Sequence, residues 1–161
     1  MKQLQACGIS GGTWVDAGCG WGAYTLPLST LASKVIAIDK NRSNVSYLKN
    51  LPSLPGNIEI HTKDFNSEHF CDEPVNGVLF AFSLHYQLDP DLPLKNAYRQ
   101  VISGGTIIVI DYTRTKPVPW VPYPLPRKEV VNLLESIDLT QVETVFENKR
   151  FYIVRSRKIN E

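Results

Sequence analysis

A glycine-rich stretch near the start of the chain has the residue types and spacing of a ligand-binding turn. Residues 15–22 read Val-Asp-Ala-Gly-Cys-Gly-Trp-Gly, between an apolar run and a helical pattern of apolar residues. A turn of this kind, from a strand into a helix, lets a ligand approach bare backbone and directs unpaired helix amides toward it. Asp39 ends the next apolar run, roughly 20 residues later, where a carboxylate can accept hydrogen bonds from ribose hydroxyls. The spacing therefore predicts a site for a ligand that carries a ribose.

The glycine pattern fits two classes of cofactor. The dinucleotide pattern G-x-G-x-x-G/A is matched by Gly18, Gly20 and Ala23. The tighter pattern D-x-G-x-G-x-G is matched by Asp16, Gly18, Gly20 and Gly22, and it resembles motif I of the class I S-adenosylmethionine-dependent methyltransferases. A dinucleotide brings a pyrophosphate, which favours amides and positive charge, whereas a sulfonium and an ammonium tolerate a nearby carboxylate. Asp16 therefore favours S-adenosyl-L-methionine as the cofactor.

The distribution of apolar residues predicts the elements that hold this turn in place. Strand-like runs alternate with helical patterns, which is typical of a parallel sheet with helical crossovers. Strands are predicted at 13–17, 35–39, 58–62, 78–82, 106–110, 140–146 and 151–157, and helices at 23–32, 41–51, 94–102 and 130–137. Residues 147–150 are too short for a crossover, so the last two strands are predicted to pair antiparallel.

This order of elements also resembles the class I methyltransferase fold, whose last strand is antiparallel. The resemblance implies an α/β fold: a Rossmann-like, doubly wound, mostly parallel seven-stranded sheet with an antiparallel terminal hairpin strand. It covers one domain over residues 1–161, with a reduced N-terminal region at residues 1–12. The leading helix of such enzymes is predicted to be missing or very short, and residues 63–76 carry at most a turn or two of helix. Both features would leave the cofactor site more open, or covered by a partner subunit or a second copy in a homodimer.

The resemblance implies a role for several residues at the ends of the strands. The glycine turn, with Cys19, would pass against the methionine part of the cofactor, and Asp39 would accept the ribose hydroxyls, beside Lys40. Asp64 would contact the adenine amine, and Phe65 would supply a backbone amide and apolar cover. The full predicted cofactor-binding set is Asp16, Gly18, Cys19, Gly20, Gly22, Asp39, Lys40, Asp64, Phe65, Phe82 and Ser83.

Two further polar residues are candidates for catalysis. Methyl transfer is an in-line displacement, so positioning supplies much of the rate, and a base is needed only when the acceptor holds its proton. Ser83-Leu84-His85 resembles the segment after the fourth strand in small-molecule methyltransferases of ubiquinone biosynthesis, with Tyr86 in place of a second histidine. His85 is a candidate general base because imidazole titrates near neutrality. Asp111 ends the fifth strand and is a candidate substrate contact. The alternatives are a histidine held by a backbone carbonyl and an aspartate that caps a turn.

The sequence favours a small-molecule acceptor over a polymer. The Asn/Asp-Pro-Pro-Tyr/Phe motif of amino-group methyltransferases is absent after Phe82, which disfavours exocyclic amines of DNA and glutamine side chains. Residues 117–126 are rich in proline and contain Trp120 and Tyr123. They would suit an apolar or aromatic acceptor, although they could equally pack on the core or meet a partner subunit.

Composition argues against several other classes of function. A formal net charge of +1 over 161 residues disfavours a dedicated nucleic-acid binder. Apolar runs are too short to span a bilayer and the start is not signal-like, so a cytoplasmic protein without a membrane partner is expected. The three cysteines lack CxxC spacing, so neither a disulfide framework nor a metal site is expected.

Three alternatives to a small-molecule methyltransferase remain at this point. The first is a non-catalytic, S-adenosylmethionine-binding subunit that needs a partner, which the reduced N-terminal region favours. The second is an RNA or protein methyltransferase guided by the basic residues Lys149, Arg150, Arg155, Arg157 and Lys158. The third is a nicotinamide oxidoreductase, which Asp16 and the terminal hairpin disfavour.

Overall fold

Seven strands form a single sheet. The computed structural model describes residues 2–159, and its strands are β1 (Thr13–Ala17), β2 (Lys34–Asp39), β3 (Ile58–Thr62), β4 (Val75–Ala81), β5 (Val101–Tyr112), β6 (Leu139–Glu147) and β7 (Phe151–Lys158). Their order across the sheet is β3-β2-β1-β4-β5-β7-β6. The first five strands are parallel, and β7 runs antiparallel to both β5 and β6. The predicted mostly parallel sheet with an antiparallel terminal hairpin is confirmed.

Helices cover both faces of the sheet. They are α1 (Lys2–Ala6), α2 (Thr25–Ser29), α3 (Arg42–Lys49), α4 (Asp91–Gln100) and α5 (Arg127–Ser136), with a short 3₁₀ turn at Leu84–Tyr86. Buried side chains of α4 and α5 pack on one face with Phe80 and Val109, and those of α1, α2 and α3 pack on the other face with Trp14 and Ile108. The apolar runs of β4 and β5 are buried on both faces, as central parallel strands should be.

The N-terminal region and the crossover after β3 are as small as the sequence predicts. α1 has five residues, and Leu4 within it is buried against the sheet. Residues 63–74 contain turns and bends but no helix. The Gln100 side chain at the end of α4 holds this crossover, because its Oε1 accepts hydrogen bonds from the backbone amides of Phe70 and Cys71 at 3.0 and 2.8 Å.

The predicted end of α4 is wrong. The apolar spacing places Val101 and Ile102 on the helix and Gly104 and Gly105 at its end, whereas the helix ends at Gln100 and Val101 begins β5. Val101 pairs with Val75 of β4, so strand pairing overrides the helical periodicity. A Cβ on Gly105 would lie 2.4 Å from Val101 Cγ1 and 2.8 Å from the carbonyl oxygen of Asn76. This glycine therefore permits close packing of backbone within the sheet.

Other boundaries differ by a few residues. α2 is confined to Thr25–Ser29, with Pro27 in its first turn, where the missing N–H removes no helical hydrogen bond. β4 begins three residues earlier than predicted and ends at Ala81, which leaves Phe82 outside the strand with a φ of 53°. A positive φ is rare for a bulky side chain and is retained where the surroundings enforce it.

A substitution at Gly77 can test the packing between β4 and β1. A Cβ on Gly77 would lie 2.5 Å from Cζ3 of the buried Trp14 ring, so we expect Gly77→Ala to lower the free energy of unfolding by about 1–3 kcal/mol through overpacking. Urea denaturation followed by circular dichroism measures the change. Gly56→Ala is the matched control, because a Cβ there meets no atom within 4 Å. Equal stability of the two variants would contradict this account of the β1–β4 contact.

Candidate functional site

A cavity of about 430 Å³ opens at the carboxyl ends of β1, β2, β3 and β4. This edge is where open α/β sheets bind ligands. With the exception of Gly22, every residue predicted to bind the cofactor lines it: Asp16, Gly18, Cys19, Gly20, Asp39, Lys40, Asp64, Phe65, Phe82 and Ser83. The structure therefore brings residues from four separate strand ends into one hollow.

Asp39 joins the end of β2 to the glycine turn. Its Oδ2 accepts a hydrogen bond from the Gly20 amide at 2.9 Å and a longer one from Asn44 Nδ2 at 3.3 Å, and its Oδ1 accepts one from the Asn41 amide at 2.8 Å. Within residues 2–159, no ion pair joins Asp39 to Lys40 or Arg42. The carboxylate is thus oriented by backbone groups at the wall of the cavity.

The first glycine of the turn lies where a side chain would not fit. The amides of Gly18 and Cys19 both donate to the Ile38 carbonyl at 2.9 Å, which holds the turn against β2. Gly18 has a φ of 80°, and a Cβ there would lie 2.7 Å from Ser83 Cβ. Ser83 Oγ in turn donates to the Ala17 carbonyl at 2.8 Å. These contacts fix the ends of β1, β2 and β4 relative to one another.

Asp16 is a buried carboxylate on the floor of the cavity. It is 1% exposed, and its Oδ2 accepts a hydrogen bond from the Thr25 hydroxyl at 2.6 Å. Its Oδ1 is buried and accepts no hydrogen bond from any described residue. Burial raises the pKa of Asp16 to about 6; the Thr25 bond opposes this rise and the charge of Asp39 adds to it. A buried oxygen of this kind needs a donor, and a ligand ammonium in the cavity would supply one.

Cys19 has the environment of a packing residue. Burial raises the pKa of its thiol, and the nearby carboxylates of Asp16 and Asp39 raise it further. Since the thiolate is the nucleophilic form, this position does not favour nucleophilic chemistry. The other cysteines, Cys7 and Cys71, are also buried and free.

The residues after β3 form the far wall of the cavity. Asp64 Oδ1 accepts a hydrogen bond from the Asn66 amide at 2.9 Å, which shapes the turn. The neighbouring Lys63 pairs elsewhere, because its Nζ lies 3.2 Å from Asp72 Oδ1. Phe65 is buried, and its ring packs edge-on against Phe80.

Gly22 lies outside the cavity lining. A Cβ there would lie 2.5 Å from Leu48 Cδ1, so the lack of a side chain is explained by packing of the turn against α3. The linear pattern alone cannot distinguish this glycine from the two that line the cavity, because all three share the same spacing.

Several lining residues were not predicted. They come from the glycine turn, the residues around the starts of α2 and α3, and the end of β4 with the segment after it: Trp21, Ala23, Tyr24, Asn41, Asn44, Ala81, Tyr86 and Gln87. The sequence could have indicated Asn44 as a lining residue, because it follows the helix cap Asn41 by three residues and so lies on the same helix face. Trp21 is 70% exposed although it lines the cavity.

The two predicted catalytic residues contact each other, but neither lines the cavity. His85 and Asp111 are each 1% exposed, and His85 Nδ1 lies 2.7 Å from Asp111 Oδ1. Asp111 also accepts hydrogen bonds from the amides of Tyr112 and His85. Since a carboxylate can only accept a hydrogen bond, Nδ1 is the donor to Asp111. Nε2 is then the ring nitrogen that this bond does not use. That Nε2 is buried and has no hydrogen-bond partner in the described chain.

Aromatic rings separate this pair from the cavity. The Tyr86 ring centroid lies 4.3 Å from that of His85, and the Tyr112 ring centroid lies at 5.3 Å. Tyr86 lines the cavity and is 53% exposed. The proline-rich segment borders the same place, because the Tyr123 amide donates to the His85 carbonyl at 3.0 Å.

Neither a metal cluster nor a spanning helix was found in the part of the chain that the structure describes. No group of three or more His, Cys, Asp or Glu residues among residues 2–159 is placed to hold a metal ion. The helices within the same residues are too short or too polar to cross a bilayer.

Comparison with known proteins places these features in a family. Residues 15–109 match the family described as the methyltransferase domain. Over 103 residues the chain is 26% identical to the ubiquinone biosynthesis O-methyltransferase of Mesorhizobium japonicum, a match that covers 63% of this chain and 41% of that protein. The chain therefore matches less than half the length of this curated relative.

Solved structures share the fold. A SAM dependent methyltransferase from Aquifex aeolicus superposes with a TM-score of 0.81 at 24% identity, over 98% of this chain and 88% of that one. The N-methyltransferase NodS from Bradyrhizobium japonicum WM9, in complex with S-adenosyl-L-homocysteine, superposes with a TM-score of 0.80 at 18% identity. This match covers 98% of this chain and 85% of that one. These likenesses extend over both α1 and the terminal hairpin.

The raised pKa of Asp16 predicts how stability depends on pH. A carboxyl whose pKa is higher in the folded state, about 6 against an ordinary value of 3.8, stabilises the fold at low pH, and this contribution is lost as pH rises through 6. Asp16→Asn cannot ionise, so its stability relative to wild type should increase between pH 4 and pH 7 by an amount on the order of 2 kcal/mol. Urea denaturation of the ligand-free proteins measures the difference. A constant difference across this range would show that Asp16 does not titrate as described.

Proposed function

This chain belongs to the methyltransferase domain family, of the class I S-adenosylmethionine-dependent type, and we propose that it transfers a methyl group from S-adenosylmethionine to a small-molecule acceptor. The observation that carries the proposal is the position of Asp16: it lines the same cavity as Asp39, and one of its carboxylate oxygens is buried with no hydrogen-bond donor within residues 2–159. A ligand with a cation near one end and a ribose near the other satisfies both carboxylates.

The described residues fit this cofactor group by group. Asp16 Oδ1 would accept a hydrogen bond from the ammonium, and Gly18 and Gly20 would leave room for the methionine chain. Asp39 has about four acceptor positions on its carboxylate, three of which are used by Gly20, Asn41 and Asn44. The ribose hydroxyls would take the remaining position and replace the long bond from Asn44. When bound, S-adenosylmethionine supplies an electrophilic methyl group on a sulfonium.

The charge of the cavity favours a cationic ligand over a dinucleotide. Asp16, Asp39 and Asp64 all line it, and among the described lining residues Lys40 is the only Lys or Arg. A pyrophosphate would meet like charge at Asp16 and Asp39, whereas a sulfonium and an ammonium are attracted to them. This supports S-adenosylmethionine over a nicotinamide cofactor.

The basic residues near the C-terminus support a small-molecule acceptor over RNA. Arg155 donates to the Cys7 carbonyl and pairs with Glu143, and Arg157 Nε donates to the Gly104 carbonyl. Lys158 Nζ donates to the carbonyls of Tyr98 and Val101 at 2.9 Å. These bonds hold β7 to its neighbours and engage part of each of the three side chains, whereas Lys149 and Arg150 lie exposed in the turn of the hairpin.

His85 and Asp111 have the arrangement of a general base and its orienting carboxylate. Asp111 holds the Nδ1 proton of His85, which leaves Nε2 able to accept a proton from an acceptor hydroxyl. Tyr86 lies between His85 and the cavity, and a rotation of this half-exposed side chain would open the path. In this proposal Nε2 would accept the proton of the acceptor O–H, S-adenosylmethionine would supply the methyl group and leave as S-adenosylhomocysteine when its methyl–sulfur bond breaks, and Asp111 would stabilise the resulting imidazolium.

A cofactor-binding subunit that needs a partner, or a second copy of this chain, is the second candidate. The exposure of Trp21 and Tyr86 at the cavity favours it, because a partner that covers the site would bury both rings. Sedimentation with and without S-adenosylhomocysteine, together with turnover by the purified chain, separates the two: turnover by a monomer would exclude the second candidate.

Cofactor identity is tested by thermal shift with S-adenosylhomocysteine, NAD and NADP. A ligand at about 100 times its Kd adds about 2.7 kcal/mol of stability, which raises Tm by several degrees. We expect this shift with S-adenosylhomocysteine alone, and we expect Asp39→Ala to abolish it. Asp72→Ala is the control, because that carboxylate is 92% exposed and lies outside the cavity. An equal shift with NAD, or an undiminished shift in Asp39→Ala, would refute the assignment.

The base is tested by kinetics once a panel of phenols and other hydroxyl compounds has given turnover. His85→Gln should lower kcat by about 10²–10⁴-fold and remove the acidic limb of the pH–rate profile, the fall in rate at low pH that a general base creates when it is protonated. Binding of S-adenosylhomocysteine should be unchanged in this variant. A His85 with a purely structural role would instead lower stability and leave the pH profile as in wild type, and that outcome would remove His85 and Asp111 from catalysis.

A further inference from the structure

A second cavity lies beside the first, on the face of the sheet that α1 and α2 cover. Its volume is about 230 Å³, and its walls come from α1, α2, β5 and β7. The lining is mainly apolar and includes Leu4, Pro27, Ile110, Phe151 and Ile153. Apart from Ala23 and Tyr24, its lining residues lie outside the first cavity.

The two cavities share walls. Ala23 and Tyr24, at the entrance to α2, line both of them. Tyr24 directly precedes Thr25, whose hydroxyl donates a hydrogen bond to Asp16. The second cavity therefore adjoins the part of the first that holds Asp16, where the methionine part of the cofactor would bind.

Phe82 stands at this junction in a strained conformation. Its ring lines the first cavity and packs on Tyr24 and Phe151, which line the second, with ring centroids 5.8 and 6.0 Å away. Tyr112 completes the cluster at 4.6 Å. The φ of Phe82 is 53°, and strain of this kind persists where the surroundings enforce it, often at functional sites.

We propose that the second cavity binds the apolar part of the methyl acceptor, and that this part is a single aromatic or aliphatic ring. The inference rests on the proposed function and deepens it by naming the acceptor class. A cavity of about 150 Å³ with aliphatic walls is large enough for benzene, so one ring fits in this one. The volume is below the usual range for a whole drug-sized ligand, about 300–1,000 Å³, so any remaining part of the acceptor extends toward the first cavity.

Tyr24 gives the cavity one polar position near the junction. Burial, with Tyr112 and Asp16 nearby, raises the pKa of its phenol, so the hydroxyl stays protonated at neutral pH and can donate a hydrogen bond. Gln3 supplies the second polar side chain in the lining. An apolar ring with one hydroxyl, such as a phenol, matches this combination.

The test uses 4-fluorophenol as the probe and ¹⁹F NMR as the readout, on wild type and on two variants of α1. Gln3 and Gln5 are both exposed residues of the same helix, and only Gln3 lines the cavity. Gln3→Trp should fill the cavity and weaken probe binding at least tenfold, whereas Gln5→Trp should bind the probe as wild type does. Circular dichroism checks that both variants keep the fold.

Saturating S-adenosylhomocysteine separates this inference from the function on which it rests. The probe should bind in its presence with unchanged or higher affinity, because the two ligands occupy different cavities. Displacement of the probe, equal binding to wild type and Gln3→Trp, or no binding to wild type would each overturn the inference. A wild-type protein that binds the probe in the expected pattern but shows no thermal shift with S-adenosylhomocysteine would refute the proposed function and leave the ring-binding cavity in place.

Discussion

The hydrogen bond from the Gly20 amide to the Asp39 carboxylate is the contact on which the rest of the site depends. It ties the turn after β1 to the end of β2 at 2.9 Å, and the amides of Gly18 and Cys19 reinforce it on the Ile38 carbonyl. The turn can lie this close because Gly18 has no side chain to meet Ser83. With the turn fixed, α2 begins in a defined direction, and Thr25 at its start is brought to Asp16.

Negative charge is the second constraint on this site. Asp16 and Asp39 are both nearly buried, and the charge of Asp39 adds to the rise that burial causes in the pKa of Asp16. A fold without a ligand would be more stable with fewer carboxylates here, since buried charges are unfavourable without partners. The proposed function explains their presence, because the ammonium of the ligand would meet Asp16 while its ribose hydroxyls would donate to Asp39. In this proposal the two carboxylates lower the stability of the ligand-free protein and raise its affinity for a cationic ligand, which is common at binding sites.

The errors in the predicted elements have a common cause. Periodicity reports which residues are apolar, and Val101 and Ile102 continue the spacing of α4 although they belong to β5. Two tertiary contacts favour the strand over the helix at these residues. Val75 pairs with Val101 across the sheet, and Gly105 lets the backbones approach closely. Neither contact can be read from the local sequence, because each joins residues far apart in the chain. Residues of central strands were predicted well, since burial on both faces leaves a continuous apolar run that has no competing interpretation.

The sequence by itself determined the cavity residues that lie within two positions of a strand's carboxyl end, because the carboxyl ends of parallel strands must meet at one edge. Asp16, Asp39, Asp64 and Ser83 are of this kind, and their grouping required only the order of the strands. Tertiary structure decided what depends on distances between separate elements: that Gly22 faces Leu48 and not the cavity, that His85 and Asp111 contact each other beneath Tyr86, and that Phe82 stands between two cavities. The physical reason is that spacing along a chain fixes the direction of a side chain relative to its own strand or helix, whereas its partners are set by how those elements pack.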